Sequence, residues 1–199
     1  MKKTVWQPLV FGLVFGLLAG LGVITDLSFI VSSTNTDNII GFWMTLSLLA
    51  SALGGPLAGV VASILLVMIS NFYGPPEMQA IVYDPVSFWT NIFVLGILMA
   101  LVGFAYRFIF ERVNMPQRIL WWVGIVILVH VVNIPANLIL QHYVLNETGV
   151  LPVILSVYKI YIPQAFFDIL ITSLVFIALP VRYTRPLWYE SKQVLEQNS

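Results

Sequence analysis

The chain has 199 residues, of which 59% are hydrophobic and only 9% are charged, and its mean hydropathy is +0.94. Soluble domains carry roughly 25% charged residues, so this composition excludes an ordinary soluble protein and predicts one that lies in lipid. The net charge is zero, and no basic patch of the kind that binds nucleic acid is indicated. The sequence contains no cysteine, which excludes disulfides and thiolate metal sites.

Apolar runs long enough to cross a bilayer recur along the chain. A transmembrane helix needs about 20 apolar residues to cross a hydrocarbon core of roughly 30 Å. Six runs meet or approach this length, so the predicted fold is an all-α polytopic membrane protein with a single domain. The predicted helices are 9–31, 39–53, 56–73, 88–110, 119–141 and 161–181, with a cytoplasmic tail at 182–199.

The second run is short, and only Gly54, Gly55 and Pro56 separate it from the third. Glycine permits a tight reversal and proline suits the first turn of a helix, so the two runs are predicted to form a helical hairpin. A protein with five spans, in which these runs are not separate crossings, stays open as an alternative. The first run is too long for the apolar region of a signal peptide and is expected to remain in the protein.

Basic residues are distributed unevenly between the predicted loops. With six spans, both termini lie on the same side of the membrane as the turn between the fourth and fifth helices. All nine basic residues except Lys159 then fall on that side. Because positively charged loops are retained in the cytoplasm, both termini are predicted to be cytoplasmic. The predicted location is the plasma membrane, as a multi-pass protein of a bacterial cell.

Two predicted helices, the fifth and the sixth, carry polar residues at steps of three or four, which places them on one face of each helix. These residues are His130, Asn133, Asn137, Gln141, Gln164, Asp168 and Thr172. Most lie toward the outer ends of their helices. Unpaired polar groups are costly in hydrocarbon, so the two faces are expected to turn toward each other or toward water. They predict a ligand pocket that opens to the outside.

Residues at the outer ends of neighbouring helices are also predicted to line the pocket. The full predicted ligand-binding set is Asn133, Asn137, Gln141, Gln164, Asp168, His130, Tyr73, Trp89 and Asn91. Asp168 is its strongest member because an intramembrane carboxylate is costly and is usually functional. Two alternatives stay open: the amides hold helices together, or Asp168 is a structural residue that is protonated or paired with His130.

Pro135 and Pro163 lie within the same two runs. A proline inside a helix kinks it and frees a backbone carbonyl, which a ligand can then use. Proline is also simply more frequent in membrane helices than in soluble ones.

Catalytic motifs are absent from the sequence. There is no phosphate-binding glycine loop and no nucleophile elbow, and His130 and His142 stand twelve residues apart with no metal-ligand spacing around them. The chain is therefore predicted to have no enzymatic activity, no cofactor and no metal.

Gly12, Gly16 and Gly20 recur at every fourth position of the first run. A ladder of small residues lets another helix approach closely. Packing within the bundle and docking of a separate protein both stay open.

Four features follow one another along this chain. A helical hairpin turns at the sequence Gly-Gly-Pro, a helix rich in small residues comes next, and a helix that carries several polar residues follows it. The last helix begins near a proline and a glutamine. The segments in this order are LLASALGGPLAGVVASILLVMISNFYG, FVLGILMALVGF, VGIVILVHVVNIPANLIL and YIPQAFFDILITSLVFI. Their order resembles the membrane region of LytS-type five-transmembrane receptors, over roughly residues 5–185. The same hairpin, together with six helices and both termini inside the cell, is similar to the arrangement in the S-components of energy-coupling-factor vitamin transporters.

The resemblance to S-components implies a protein that captures a vitamin or a related small molecule in an outward pocket. It also implies docking through Gly12, Gly16 and Gly20 to a coupling membrane protein with its ATPases. The resemblance to receptors implies instead a ligand-sensing domain of a signalling protein. A third class, a structural membrane protein, binds no ligand.

The chain departs from the receptor pattern at two places. The receptors resemble one another in an Asn-Thr-Arg ahead of the hairpin and an arginine that closes the following helix. This chain has Asn35, Thr36 and Asp37 at a longer spacing, and Ser70 and Asn71 where the second arginine would fall. Serine and asparagine do not replace the two-pronged binding of a carboxylate by arginine.

Overall fold

A computed structural model describes residues 6–25, 28–33, 36–74, 85–145 and 150–184. Within these ranges the chain forms a bundle of helices with one β-hairpin. The elements in chain order are α1 (Trp6–Ile24), β1 (Ser28–Ser33), β2 (Thr36–Gly41), α2 (Phe42–Gly54), α3 (Pro56–Tyr73), α4 (Pro85–Arg112), α5 (Met115–Leu145), α6 (Val150–Ala178) and α7 (Val181–Thr184).

Among the described residues, five helical segments are long and apolar enough to cross a membrane. They are Trp6–Ile24, Pro56–Tyr73, Pro85–Arg112, Met115–Leu140 and Tyr161–Ala178. Large apolar side chains such as Leu101, Leu128 and Phe166 are exposed on their outer faces, where lipid is the natural solvent. The chain therefore has the architecture of a multi-pass membrane protein.

The predicted helices 9–31 and 39–53 are wrong at the ends where they approach each other. Helix α1 ends at Ile24, and the chain then forms an antiparallel hairpin whose register runs from Ser28 opposite Gly41 to Ser33 opposite Thr36. Serine, threonine and asparagine compete for backbone hydrogen bonds and weaken a helix, whereas the interspersed β-branched residues favour a strand. The fold class is helical as predicted, and the hairpin is the one described place where strands interrupt the helices.

The predicted reversal between the second and third helices is confirmed. Gly55 has φ 87° and ψ −176°, a conformation open essentially only to glycine, and Pro56 begins α3. Helix α2 has only 13 residues and is about 20 Å long, which is less than the thickness of a hydrocarbon core. The second predicted run, 39–53, thus forms a helix shorter than the five candidate spans.

Helices α4, α5 and α6 extend beyond the predicted runs 88–110, 119–141 and 161–181 at one end or both. A hydropathy run marks only the part of a helix that lies in lipid, because a helix can continue into the polar layer outside the hydrocarbon. In particular, α6 begins at Val150, eleven residues before the start of the predicted run 161–181.

The direction of each helix follows from its neighbours. Gly12 lies against Ala58 and Gly20 against Ile69, so α1 and α3 run parallel. Gly103 lies against Pro56, which places the α2–α3 turn beside the second half of α4. We call this end of the bundle, where α4 ends at Arg112, the inner end, and the end with the β-hairpin the outer end.

Three aromatic rings close the inner half of the bundle. The ring of Tyr106 lies 5.5 Å from that of Trp122 and 5.0 Å from that of Phe176, measured between centroids. The Tyr106 hydroxyl donates a hydrogen bond of 3.0 Å to the carbonyl of Thr184 in α7. We call Tyr106, Trp122 and Phe176 the inner aromatic cluster.

The glycine ladder of α1 faces α3. A Cβ added at Gly12 would lie 2.7 Å from the carbonyl oxygen of Ala58, and one at Gly16 would lie 2.9 Å from the Cα of Ala62. The glycines therefore let the two backbones approach each other, as small residues do between membrane helices. The resemblance implies that a partner protein docks on the glycine face of α1, but in this structure α3 of the same chain already covers that face.

Replacing Gly12 with alanine is expected to lower the free energy of unfolding by about 2 kcal/mol, because the methyl group would overlap the backbone of α3. The matched control is Gly22→Ala in the same helix, where an added methyl meets no described atom within 4 Å. This control is expected to be neutral or slightly stabilising, since alanine is the better helix former. Thermal unfolding in detergent measures both variants, and equal losses would contradict the close contact.

The predicted sidedness can be tested with single cysteines, because the chain has none of its own. Thr25 follows α1 at the outer end and Asn114 lies between α4 and α5 at the inner end, and both side chains are exposed. In intact cells, a membrane-impermeant maleimide is expected to label Thr25→Cys but not Asn114→Cys. Permeabilised cells should give labelling of both variants, and the reverse pattern in intact cells would overturn the predicted orientation.

Candidate functional site

The carboxylate of Asp168 is fully buried in the middle of the bundle. One of its oxygens, Oδ1, accepts a hydrogen bond from the hydroxyl of Thr45 on α2. The other, Oδ2, lies 3.0 Å from Nε2 of His130 on α5. Both oxygens are therefore engaged by protein groups, and the predicted alternative in which Asp168 pairs with His130 is the one that the geometry matches.

The hydrogen bonds continue from Asp168 toward the inner end. Thr172 donates from Oγ1 to the backbone carbonyl of Asp168 at 2.5 Å, and Trp122 donates from its indole nitrogen to the same Thr172 oxygen at 2.7 Å. We call Thr45, His130, Asp168, Thr172 and Trp122 the buried polar chain. It joins α2, α5 and α6 and ends in the inner aromatic cluster.

The buried polar chain has the character of a structural network. Each bond satisfies a group that would be costly to bury alone, and together they fix three helices relative to one another. Within the part of the chain that the structure describes, no third acidic or histidine side chain joins Asp168 and His130 to form a metal site.

Gln164 lies one turn before Asp168 on α6 and is also fully engaged. Its Oε1 accepts a hydrogen bond of 2.9 Å from the backbone N–H of Gly41, and its Nε2 donates one of 2.8 Å to the carbonyl of the same residue. The amide thus pairs with the end of β2 as a neighbouring strand would. It fixes the start of α2 against α6 and leaves little capacity for a ligand.

The carbonyl that Pro135 frees is already occupied. Proline has no N–H, so the carbonyl of Val131, four residues earlier in α5, loses its helical partner. The hydroxyl of Tyr158 on α6 donates a hydrogen bond to that carbonyl. The carbonyl that was predicted to serve a ligand therefore forms a hydrogen bond between α5 and α6 instead.

A cavity of about 150 Å³ lies at the outer end of the bundle, and we call it the outer cavity. It is enclosed by the ends of α1, α2, α3 and α4 nearest the β-hairpin and by the outer parts of α5 and α6. The residues that line it are Val23, Trp43, Met44, Leu66, Val67, Ser70, Asn71, Asn91, Leu95, Asn133 and Tyr161.

Three amide side chains from three helices converge on the outer cavity. Asn71 comes from α3, Asn91 from α4 and Asn133 from α5. None of the described residues that line it carries a charge. The Oδ1 of Asn133 accepts a hydrogen bond of 3.0 Å from Asn137, one turn along α5, so Asn137 supports the cavity from behind.

Trp43 adds an unused donor beside the outer cavity. Its indole nitrogen is buried and has no hydrogen-bond acceptor among the described residues. A buried donor without a partner costs roughly 1–3 kcal/mol, and such groups in native proteins often mark a missing ligand or water.

The predicted binding set is thus divided by the structure. Asn91 and Asn133 line the outer cavity, whereas His130, Gln164 and Asp168 are held in bonds between helices. The side chain of Gln141 lies outside the described residues.

Tyr73 and Trp89 are 69% and 65% exposed on the outside of the bundle and do not reach the cavity. Consecutive helical residues are about 100° apart, so Trp89 and Asn91 project in nearly opposite directions from α4. This periodicity could have separated them at the level of sequence.

Besides the aliphatic side chains and Met44, the lining residues that the predicted set missed are Trp43, Ser70, Asn71 and Tyr161. For Asn71, the available signal was an amide at the outer end of an apolar run, the same signal that identified Asn91. For Trp43, which the sequence suggests as an aromatic cover of the pocket, and for Tyr161, the signal is weaker, because aromatic residues are common at the ends of membrane helices.

A second opening lies between α5 and α6 and faces the lipid. It has a volume of about 180 Å³, and we call it the lateral groove. Its lining residues are Ile127, His130, Val131, Ile134, Tyr158, Tyr161, Ile162, Ala165, Phe166 and Ile169. Several of them, including Val131 and Phe166, are exposed on the surface of the bundle. Tyr161 is the described residue that lines both the groove and the outer cavity.

No protein-family model, no curated protein and no solved structure matches the chain. The resemblance to receptors and S-components therefore rests on the quoted segments. Function must be argued from the chemistry of the site itself.

Replacing Asp168 with alanine is expected to lower the free energy of unfolding by about 3 kcal/mol, because His130 would stay buried without its partner. The milder variant Thr45→Val removes one hydrogen bond to the same carboxylate and should cost about 1 kcal/mol. Denaturant unfolding in mixed micelles, followed by circular dichroism, measures both. An Asp168→Ala protein as stable as the wild type would show that the buried polar chain does not hold the helices.

Proposed function

We propose that this chain is a membrane-embedded binding protein that captures a small, uncharged molecule from the outer side of the cell membrane. In this role it acts as the substrate-capturing S-component of an energy-coupling-factor-type uptake transporter. The observation that carries the proposal is the outer cavity, where Asn71, Asn91 and Asn133 converge from three helices among apolar side chains. Ligand sites commonly combine a largely apolar lining with a few convergent polar groups.

The lining of the cavity favours a neutral ligand. An ion placed there would find no counter-charge among the described lining residues, and an unpaired buried charge is very costly. Amides both donate and accept hydrogen bonds, so they suit a ligand that carries donors and acceptors of its own. A cavity of about 150 Å³ has the size that holds a single aromatic ring.

The packing of the inner half supports capture rather than free passage. Below the outer cavity, the bundle is filled by the buried polar chain and by the packed rings of Tyr106, Trp122 and Phe176. A molecule bound from outside would have to leave by the same side unless the helices move. Delivery into the cell therefore requires a coupling membrane protein with ATPases, and the chain itself performs no catalysis.

Binding is tested by thermal unfolding of the purified protein with a panel of vitamins, nucleobases and small neutral amides. A ligand that binds only the folded state raises its stability, by about 2.7 kcal/mol at a hundred times its Kd. Asn91→Leu is expected to weaken that ligand at least about tenfold, because a leucine cannot replace the lost hydrogen bonds. The matched control Trp89→Leu alters an exposed side chain two residues away and should leave binding unchanged.

Two results would count against the proposal. If no compound in the panel stabilises the protein, the chain is better described as a structural membrane protein. If Asn91→Leu and Trp89→Leu weaken a ligand equally, that ligand does not occupy the outer cavity.

A further inference from the structure

The outer cavity and the lateral groove meet at one side chain. Tyr161 lines both openings, while Asn133 on α5 faces the cavity and Ile134, the next residue, lines the groove. One opening offers amides at the outer end of the bundle, and the other offers apolar side chains to the lipid. The two therefore form a polar compartment and an apolar compartment that adjoin at Tyr161.

From this arrangement we infer that the captured molecule is an amphiphile, with an uncharged polar head in the outer cavity and an alkyl tail in the lateral groove. This inference rests on the proposed function, because it names the class of molecule that the same site takes. Tyr161, which lines both openings, lies where the head and the tail of the molecule meet.

The chemistry of the groove fits an alkyl tail. Two of its polar groups are bonded within the protein, because the hydroxyl of Tyr158 donates to the carbonyl of Val131 and Nε2 of His130 bonds the carboxylate of Asp168. A tail therefore meets a lining that is almost entirely apolar, which suits a chain without hydrogen-bonding groups. The groove follows α6 from Tyr158 to Ile169, a distance of about 16 Å along the helix.

The direction of the two compartments matches the orientation of an amphiphile in a bilayer. On α6 the outer cavity is lined by Tyr161, whereas the groove continues from there toward the inner end as far as Ile169. A molecule of the outer leaflet has its head and tail in the same order. It can enter the groove sideways from lipid, so the apolar tail never has to cross water.

The size and the lack of charge of the cavity distinguish this ligand from an ordinary bilayer lipid. A cavity of about 150 Å³ has about the volume that one ring occupies, so it suits a small head better than a phospholipid head group. A zwitterionic or anionic head would also find no ionic partner among the described lining residues.

The probes that test the inference are ethylurea and octylurea, which share one small neutral head and differ only in the tail. Binding is measured by thermal unfolding of the protein in lipid nanodiscs. Wild-type protein is expected to bind octylurea at least about tenfold more tightly than ethylurea. Ala165→Trp fills the groove and should abolish this advantage while leaving ethylurea binding intact.

Leu170→Trp is the matched control, since it places the same bulky ring on α6 at an exposed position outside the groove. It should keep the full advantage of octylurea, which separates occupation of the groove from simple partition into lipid. Val131→Trp fills the groove from α5 and repeats the test if Ala165→Trp fails to fold.

Three outcomes would overturn the inference. If the advantage of octylurea survives both groove-filling variants, the tail does not lie in the groove, although binding in the outer cavity would stand. If Asn91→Leu binds octylurea as tightly as the wild type does, the probe occupies the groove alone, as a bilayer chain would. If neither urea stabilises the protein, this head and tail class is excluded, while the wider panel still decides the proposed function.

Discussion

The carboxylate of Asp168 is the interaction on which the rest of the bundle depends. A carboxylate buried among membrane helices is tolerated only where every oxygen finds a partner, and its two partners come from two other helices. Each partner lies within one turn of the outer cavity, because Thr45 follows Met44 and His130 precedes Asn133 by three residues. The carboxylate therefore sets the positions of the cavity walls without lining the cavity itself.

Lipid leaves few other means of holding the helices together. Apolar side chains gain little by leaving hydrocarbon for the interior of a bundle, so close packing and polar bonds supply the specificity. The chain uses close packing for one group of helices and polar bonds for another. Helices α1 and α3 pack closely through Gly12 and Gly16, whereas α2, α5 and α6 are joined by the buried polar chain. The outer cavity lies between the two sets of helices, where neither mechanism fills the space.

Much of this architecture follows from the sequence, and the reasons for the exceptions are physical. Apolar length predicted the spans and glycine chemistry predicted the turn at Gly55. Periodicity predicted that the polar groups of α5 and α6 face inward, but it could not say what each one meets. Gln164 bonds the backbone of Gly41, which lies 123 residues away in sequence, and no local pattern encodes such a partner. The β-hairpin was missed because an average of hydropathy does not distinguish strand from helix.

The predicted site and the outer cavity differ for one physical reason. The polar groups that are most costly in lipid, such as Asp168 and Gln164, are the ones that the protein must satisfy first, so they are the least available to a ligand. Neutral amides such as Asn71 and Asn91 cost less to leave facing a water-filled space at the outer end. In a membrane bundle, therefore, the most polar residues in the sequence indicate the interactions that hold the site together. The weaker signals beside them point to the residues that a bound molecule can reach.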